Sequence, residues 1–343
     1  MSYKRKLLLM LQRLIALIGV HRLYSRLAKK QGAVILMYHS VTNSADVDYI
    51  DPSYGIDCAV FDKQMAYLSR SCNVIRLAEL VLLLDQQQKI PPRTVVITFD
   101  DGYLNNLQTA APILKKYGLP ATIYLCTGNV SDGRNQWLDR LYCAYRYRQN
   151  DGFEDDEGHR HQLCDDASRE ESYGAICGRM LTLPHQQREQ LLDDIEHQLK
   201  PDRYPPRLTM NWEEVRAELA NNPLIEFGVH THNHVDLTAV GDESLKAEIV
   251  SSMDEYKQQT GKEAGLFSYP YGRNSASVIE DLKTADIQAA VMTQPTDLVT
   301  TETDKYLLPR YEVTSSMLDF KLWVSGSYPE LGLRLFSRVV DQA

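Results

Sequence analysis

The run Thr94-Val95-Val96-Ile97-Thr98-Phe99-Asp100-Asp101-Gly102-Tyr103 decides the fold class, because apolar and β-prone residues lead directly into two carboxylates and a glycine. In a parallel α/β fold this pattern places Asp100 and Asp101 at the carboxyl end of a strand, where active sites form. Neighbouring strand residues point to opposite faces, so the two carboxylates share a site only if the chain turns, which Gly102 permits. The alternative is that Asp101 merely caps the following helix.

Similar runs recur along the chain and alternate with segments of helical periodicity. They lie at residues 34–38, 73–77, 94–99, 122–126, 224–229, 266–269, 289–293 and 307–311. Continuous apolar strands alternating with helices predict an α/β fold in which helices cover a parallel sheet, either as a barrel or doubly wound. No glycine-rich phosphate loop follows any of these runs, which disfavours a nucleotide site.

The bulk composition suits one large α/β domain. The 343 residues are 43% hydrophobic and 24% charged, as in ordinary globular proteins. The net charge of −9 argues against nucleic acid as a partner, because phosphate binding requires a basic face. The six cysteines include no C-x-x-C pair, which favours reduced thiols, and Cys126 fits a small core residue.

The chain divides into a predicted N-terminal helix at residues 1–32 and a main domain at 33–343. Within 4–30, arginines and lysines fall near one stripe and leucines on the opposite side, which predicts a basic amphipathic helix. This helix could contact an anionic membrane surface, or dock on the domain or on a second protomer. Gln12-Arg13 interrupts the apolar run, and no small-residue cleavage site follows it, which disfavours a secretory signal peptide. We therefore expect a cytoplasmic protein rather than a secreted one. It would be peripheral on the inner membrane if the helix binds there.

Residues 131–208 break the alternation of strands and helices. The segment contains an acidic stretch at 151–171 and a helix-like run from Pro184 to Leu199. We predict an insertion without a core of its own, placed where insertions at strand ends shape access to a site.

A histidine cluster provides the second chemical signal. Three of the nine histidines fall within five positions in His230-Thr231-His232-Asn233-His234, directly after another apolar strand. His230 and His234, four residues apart, can converge on one cation with a carboxylate as third ligand and water completing the shell. The sequence therefore predicts a metal site at these strand ends, and this mixture of ligands suits zinc.

These motifs together resemble the polysaccharide deacetylase family, the NodB-homology carbohydrate esterases of family 4. Thr98–Gly102 and His230-Thr231-x-x-His234 resemble its paired signature. Met37–Val41 resembles the first strand of its Gram-negative exopolysaccharide branch, and Phe267–Gly272 resembles its third motif. The resemblance covers roughly residues 33 to 315 apart from the insertion. It implies an incomplete, distorted (β/α) barrel with a helical, acidic insertion.

The resemblance also implies a role for each matching residue. The ligands of one divalent metal ion, usually Zn²⁺, would be Asp101, His230 and His234. Asp100 would be the general base and His39 the general acid. The backbone N–H of Tyr271 would help to hold the oxyanion. Predicted substrate contacts are Tyr103, Trp137 and Pro270, although Trp137 could simply be a core residue.

One position departs from the family pattern. Many members have an arginine two residues before the proline of the third motif, and that arginine pairs with the base; here the position is Ser268. Arg310 is a candidate replacement from another strand end, and an ordinary surface arginine is the alternative.

The function expected from these motifs is metal-dependent removal of N-acetyl groups from an amino-sugar polysaccharide or a lipid-linked glycan, with release of acetate. One alternative is a non-catalytic carbohydrate-binding relic of the same fold, which only the missing motif arginine supports. The other is a metallohydrolase that acts on O-acetyl esters.

Overall fold

The structure is a computed structural model that describes residues 32–44, 46–294 and 298–326. The strands are β1 Ala33–Tyr38, β2 Ser40–Thr42, β3 Gly55–Asp57, β4 Asn73–Val74, β5 Thr94–Phe99, β6 Ala121–Leu125, β7 Gly152–Glu154, β8 Arg160–Gln162, β9 Ile225–Val229, β10 Leu266–Ser268, β11 Ala289–Val291 and β12 Arg310–Glu312. The α-helices are α1 Cys58–Ser71, α2 Leu77–Asp85, α3 Ala111–Tyr117, α4 Thr127–Asp132, α5 Trp137–Arg146, α6 Asp166–Thr182, α7 His185–Leu199, α8 Trp212–Asn221, α9 Asp242–Thr260, α10 Ala276–Thr284 and α11 Met317–Val324.

The predicted N-terminal helix at 4–30 lies outside the described residues, so this helix and the domain division at residue 32 stay predictions. Among the helices that the structure does describe, none combines the length and the apolar character needed to cross a membrane.

The main sheet is nearly closed into a barrel. Its strands lie in the order β11-β10-β9-β6-β5-β1-β12, with β4 paired to β5 beside this path, and all of these pairings are parallel. The two ends of the series meet through a parallel bridge between Val291 of β11 and Leu308, two residues before β12. This arrangement confirms the predicted incomplete (β/α) barrel and excludes the doubly wound alternative.

Strand β5 shows why the apolar runs are continuous in sequence. Val95, Ile97 and Phe99 pack in the large cluster between the sheet and the outer helices, whereas Val96 belongs to a second cluster on the opposite face. Both faces are covered, so all six residues of the strand are buried and both sets of positions must be apolar or hydrogen-bonded. Thr98 follows Val96 on the inner face, and its hydroxyl donates to Leu36 O.

The insertion differs from its prediction because it has a core of its own. Helices α5, α6 and α7 and the antiparallel hairpin β7–β8 enclose a separate apolar cluster. The helix predicted from Pro184 to Leu199 forms as α7, with Pro184 at its N-cap. The buried members of this cluster are Trp137, Leu141, Ala144, Tyr145, Phe153, Leu163, Ile176, Met180, Leu183, Leu191, Leu192, Ile195 and Leu199.

Candidate functional site

A turn at the end of β5 brings the two carboxylates into one site. Regular alternation would place Asp100 on the inner face and Asp101 on the outer face, but Asp101 (φ 72°) and Gly102 (φ 69°) both have left-handed backbone. His230 Nε2 consequently lies 4.0 Å from Asp100 Oδ2 and 3.7 Å from Asp101 Oδ1. The helical segment that follows begins at Leu104, three residues beyond Asp101, so the alternative of Asp101 as its N-cap is wrong.

The two histidines present the same ring nitrogen to Asp101. His230 Nδ1 lies 2.7 Å from Ser268 O, which can only accept, so Nδ1 carries the proton. His234 Nδ1 lies 3.0 Å from the Tyr271 hydroxyl, which also contacts His234 O at 3.3 Å. The Tyr271 hydroxyl can donate its one proton to that carbonyl, and we therefore assign His234 Nδ1 as the donor in its own contact. Both Nε2 atoms therefore carry lone pairs, at 3.7 and 3.3 Å from Asp101 Oδ1.

This donor set fits a divalent cation. Two neutral imidazole nitrogens and one carboxylate are typical zinc ligands, and metal-binding histidines usually donate their other N–H to a carbonyl or similar acceptor, as here. Burial and the neighbouring charge of Asp100 raise the pKa of Asp101 well above its usual range. A cation would offset this repulsion between adjacent buried carboxylates. Asp101, His230 and His234 are the residues that would hold it.

Cys126 lies closer to this centre than its sequence suggests. It is buried, as expected of a core residue, but its thiol lies 3.9 Å from Asp101 Oδ1. Potential ligand atoms of Asp101, Cys126 and His234 lie within 4.8 Å of one another. Burial raises the pKa of the thiol, and the thiol already contacts His230 O at 3.6 Å and the side-chain amide of Gln136 at 3.3 Å. We therefore favour the neutral imidazole of His230 as third ligand.

Arg310 reaches Asp100 from β12 and is fully buried. Its Nη1 lies 2.7 Å from Asp100 Oδ1 and its Nη2 lies 2.6 Å from Oδ2, a two-point guanidinium–carboxylate pair. The same guanidinium donates to Ser268 Oγ at 2.9 Å and to Thr98 Oγ1 at 3.1 Å. The alternative of a surface arginine is therefore wrong. Arg310 contacts Ser268, which stands at the position of the motif arginine.

The ion pair sets the protonation of Asp100. Burial by itself would raise the pKa of Asp100, but the Arg310 guanidinium outweighs it and holds that pKa well below its usual range. Asp100 is thus ionised throughout the physiological range, at some cost in basicity.

His39 lies at the carboxyl end of β1, between β1 and β2. Burial lowers the pKa of its imidazole, and the nearby charges of Asp100 and Glu312 oppose that shift. The ring packs edge-on against Tyr54, with centroids 5.1 Å apart. The structure therefore places His39 in the electrostatic surroundings of Asp100, while its role as a general acid stays a prediction.

The three predicted substrate contacts are all buried. The Tyr103 hydroxyl donates to Asp139 Oδ2 at 2.8 Å, and the Trp137 indole N–H donates to Tyr271 Oη at 3.1 Å. Trp137 is only 5% exposed and belongs to the core of the insertion, so its packing favours the core alternative over stacking on a sugar. Substrate contact by Tyr103 and Pro270 stays a prediction.

Residues that sequence analysis did not single out hold the histidine loop. Glu248 of α9 accepts from the backbone N–H groups of His232 (3.1 Å) and Asn233 (2.8 Å). Arg188 of α7 donates to His234 O at 2.7 Å and to Asn233 O at 2.6 Å. His232 turns towards Thr127, with 3.0 Å between Nδ1 and the hydroxyl oxygen. A charged residue on an amphipathic helix looks like a surface residue, so no pattern in the sequence indicated Arg188 or Glu248.

Two solved structures share the fold of this chain. The Streptococcus pyogenes deacetylase PplD in complex with acetate superposes with a TM-score of 0.57 at 16% identity, over 86% of this chain and 98% of PplD. IcaB from Ammonifex degensii gives a TM-score of 0.55 at 18% identity, over 86% of this chain and 98% of IcaB. At these identities the likeness concerns the fold alone.

Sequence comparisons extend the likeness beyond the fold. YxkH of Bacillus subtilis strain 168, whose name places it with the polysaccharide deacetylases, is 22% identical over 284 residues, covering 82% of this chain and 72% of YxkH. The poly-β-1,6-N-acetyl-D-glucosamine N-deacetylase of Staphylococcus aureus strain N315 is 32% identical over 123 residues, which span 33% of this chain and 42% of that protein. A family model described as polysaccharide deacetylase matches residues 87–290, more than half of the chain. The chain therefore belongs to the polysaccharide deacetylase family.

Proposed function

We propose that this protein is a metal-dependent N-deacetylase that releases acetate from a glycan containing N-acetylated amino sugars. The observation that carries the proposal is the arrangement of His230 and His234. Each ring gives its Nδ1–H to a neighbour and turns its Nε2 lone pair towards Asp101, beside a second carboxylate that a buried arginine keeps ionised.

Charge and geometry support the roles of Asp100 and Arg310, whereas the roles of His39 and Tyr271 rest on the family resemblance. When bound by Asp101, His230 and His234, a divalent cation such as Zn²⁺ would supply Lewis-acid polarisation of the acyl carbonyl and a more acidic water. Asp100 accepts the proton of the attacking water, and Arg310 fixes the plane and the charge of its carboxylate. The backbone N–H of Tyr271 donates to the oxyanion, and His39 donates a proton to the departing amine nitrogen.

The test combines metal content with acetate release. We expect Asp100→Asn to retain bound zinc and to lose about 10²–10⁴-fold in deacetylation rate, because the metal ligands are kept and the proton acceptor is removed. Asp101→Asn should instead lose zinc. Zinc is measured by elemental analysis of the purified protein, and acetate by an enzyme-coupled assay. Full activity in Asp100→Asn with normal zinc would show that Asp100 is not the base.

Two other functions of this fold are separated by the same assays. A carbohydrate-binding relic has no need of stoichiometric zinc, and the position of Arg310 against Ser268 weakens its one support, the missing motif arginine. An esterase would release acetate from O-acetyl sugars in preference to N-acetylglucosamine oligomers. Because the staphylococcal relative is named for poly-β-1,6-N-acetyl-D-glucosamine, oligomers of that linkage are the first substrates to try.

We further propose that the protein is cytoplasmic and associates with the inner membrane through residues 4–30. The basic and apolar stripes of that segment support this proposal, and it would give access to a lipid-linked or nascent glycan. Cell fractionation of the full chain and of a chain lacking residues 1–30 provides the test. Recovery of the full chain entirely in the soluble fraction would contradict membrane association.

A further inference from the structure

The loop that carries His234 has an unfavourable backbone conformation. Thr231 (φ 63°) and His234 (φ 52°) both lie in the left-handed region, which side-chain-bearing residues rarely adopt. Such a conformation persists only where the surrounding structure holds it. Glu248 holds the N–H groups of this loop from the barrel side. The carbonyl groups of Thr231 and His232 accept from the backbone N–H groups of Thr127 and Gly128 in α4, whereas the carbonyls of Asn233 and His234 are held from a different part of the chain.

Arg188, in helix α7 of the insertion, holds those carbonyls. It is 3% exposed, and its two Nη atoms donate to the consecutive carbonyls of Asn233 and His234 at 2.6 and 2.7 Å. A guanidinium is suited to this task because its donors form a rigid planar fork. The contact fixes the peptide group that follows Asn233, and hence the direction in which the His234 side chain leaves the backbone.

Trp137, in helix α5 of the insertion, acts on the ring of the same histidine. Its indole N–H donates to the Tyr271 hydroxyl at 3.1 Å, and that hydroxyl accepts from His234 Nδ1 at 3.0 Å. An indole nitrogen can only donate, so the Tyr271 oxygen must turn a lone pair towards Trp137. This orientation helps to direct the Tyr271 hydroxyl hydrogen towards His234 O. The guanidinium carbon of Arg188 lies 5.8 Å from the Trp137 ring, so the two contacts support each other.

We propose that the insertion at residues 131–208 is a positioning element of the metal site. Arg188 sets the backbone of His234, and the Trp137–Tyr271 pair sets its tautomer and ring orientation. This inference rests on the proposed metal-dependent function. It gives the insertion a role that differs from substrate access, because the residues involved are buried and contact the barrel rather than a ligand.

The experiment compares Arg188→Met with Arg140→Met in the full chain. Arg140 belongs to the same insertion but bonds only Glu189, Asp193 and Glu196 among the described residues, which leaves the histidine loop untouched. We expect Arg188→Met to weaken zinc binding by about 10–100-fold in competition with a chelator, as loss of an outer-shell partner does. Arg140→Met should bind zinc as the wild type does, even where its melting temperature falls.

Two further readouts separate positioning from folding. The visible spectrum of the Co²⁺-substituted protein should differ between the wild type and Arg188→Met. The spectrum of Arg188→Lys, which keeps one donor, should fall between those of the wild type and Arg188→Met. In the metal-free protein, imidazole ¹⁵N chemical shifts should show Nδ1–H at His234 in the wild type and a mixture of tautomers in Trp137→Phe, which keeps the ring and loses the donor.

The outcomes are distinguishable. If the wild type binds no zinc, or if His234→Asn binds it as tightly, the proposed function and this inference both fail. If the wild type binds zinc and Arg188→Met and Arg188→Lys match it in affinity and in Co²⁺ spectrum, only the positioning role is overturned. If Arg188→Met does not fold, Arg188→Lys and Trp137→Phe decide by the same criteria.

Discussion

Arg310 and Asp100 form a buried ion pair whose two members are 0% and 2% exposed. Removing one partner of such a pair leaves an uncompensated charge in the interior, which costs about 3–5 kcal/mol. We therefore expect Arg310→Met to lower the free energy of unfolding by about that amount at pH 7, measured by urea denaturation of the metal-free protein.

The pH dependence of this loss identifies its cause. Without Arg310, burial would raise the pKa of Asp100 above its unfolded value, so the folded variant takes up a proton as the pH falls. The deficit of Arg310→Met should therefore shrink between pH 7 and about pH 4.5, and Asp100→Asn in the same background should recover part of it. A deficit of equal size at both pH values would indicate lost packing instead.

The candidate catalytic and ligand residues at strand ends were predictable, whereas most of their partners were not. Asp100, Asp101 and the histidines follow apolar runs, and parallel strands carry such residues to one edge of a sheet. Arg310 could be named only as a candidate, because 210 residues separate it from Asp100 and register between strands decides whether they meet. The turn at Asp101 was anticipated through Gly102, but the left-handed backbone of Asp101 itself was not.

At the scale of elements, strand β9 depends on a glycine for its distance from its neighbours. A Cβ on Gly228 would lie 2.6 Å from Leu266 O and 2.7 Å from the Tyr124 ring, and a backbone oxygen cannot move aside cheaply. We expect Gly228→Ala to destabilise the protein by about 1–3 kcal/mol and to weaken zinc binding, since His230 directly follows β9.

Gly174→Ala provides the matched control for this prediction. Gly174 lies within helix α6, where an added Cβ meets nothing within 4 Å, and alanine is the better helix former. Thermal unfolding and zinc titration of both variants give the comparison. A Gly228→Ala protein as stable as the wild type would mean that β9 and β10 can separate without cost.

One helix of the insertion was predictable from the sequence, whereas the core of the insertion was not. Its helix from residue 185 to 199 was evident from periodicity, but its core draws on side chains spread from Trp137 to Leu199 with no regular spacing. The acidic stretch, which shows no apolar periodicity, forms the hairpin β7–β8 and the start of α6. Most of its residues are exposed, and Phe153 and Leu163 anchor these elements to the core.

At the scale of the whole molecule, stability depends on pH through buried groups of opposite sign. Burial lowers the pKa of His39, His230 and His234, so these residues favour folding less as the pH falls below about 6.5. Asp139 acts in the opposite direction. Burial raises its pKa to about 7, and its Oδ1 is buried with no hydrogen-bond partner among the described residues.

The raised pKa of Asp139 predicts that replacing this residue makes the protein more stable than the wild type at high pH. The folded state holds the Asp139 proton below pH 7 while the unfolded chain releases it above about pH 4, so ionisation opposes folding at higher pH. Asp139→Asn removes that cost and can still accept from the Tyr103 hydroxyl. We expect the difference in free energy of unfolding between Asp139→Asn and the wild type, measured by urea denaturation, to be at least about 1 kcal/mol more favourable to the variant at pH 8.5 than at pH 5.5. The exposed control variant Asp202→Asn should show no such change with pH. A difference that does not vary with pH would contradict this assignment.

Strand β12, which lies beside β1 and carries Arg310, has a consequence for how the protein forms on the ribosome. The chain emerges from its N-terminus, so β1, β5 and the carboxylate of Asp100 are available long before residue 310 appears. Until then the nascent barrel must hold an acidic group without its counter-ion, which favours its protonated form or a loosely packed intermediate. Because synthesis runs from the N-terminus, the charge of Asp100 is one of the last features of this site to be established, and a chain released before Arg310 would lack the ion pair that keeps Asp100 ionised.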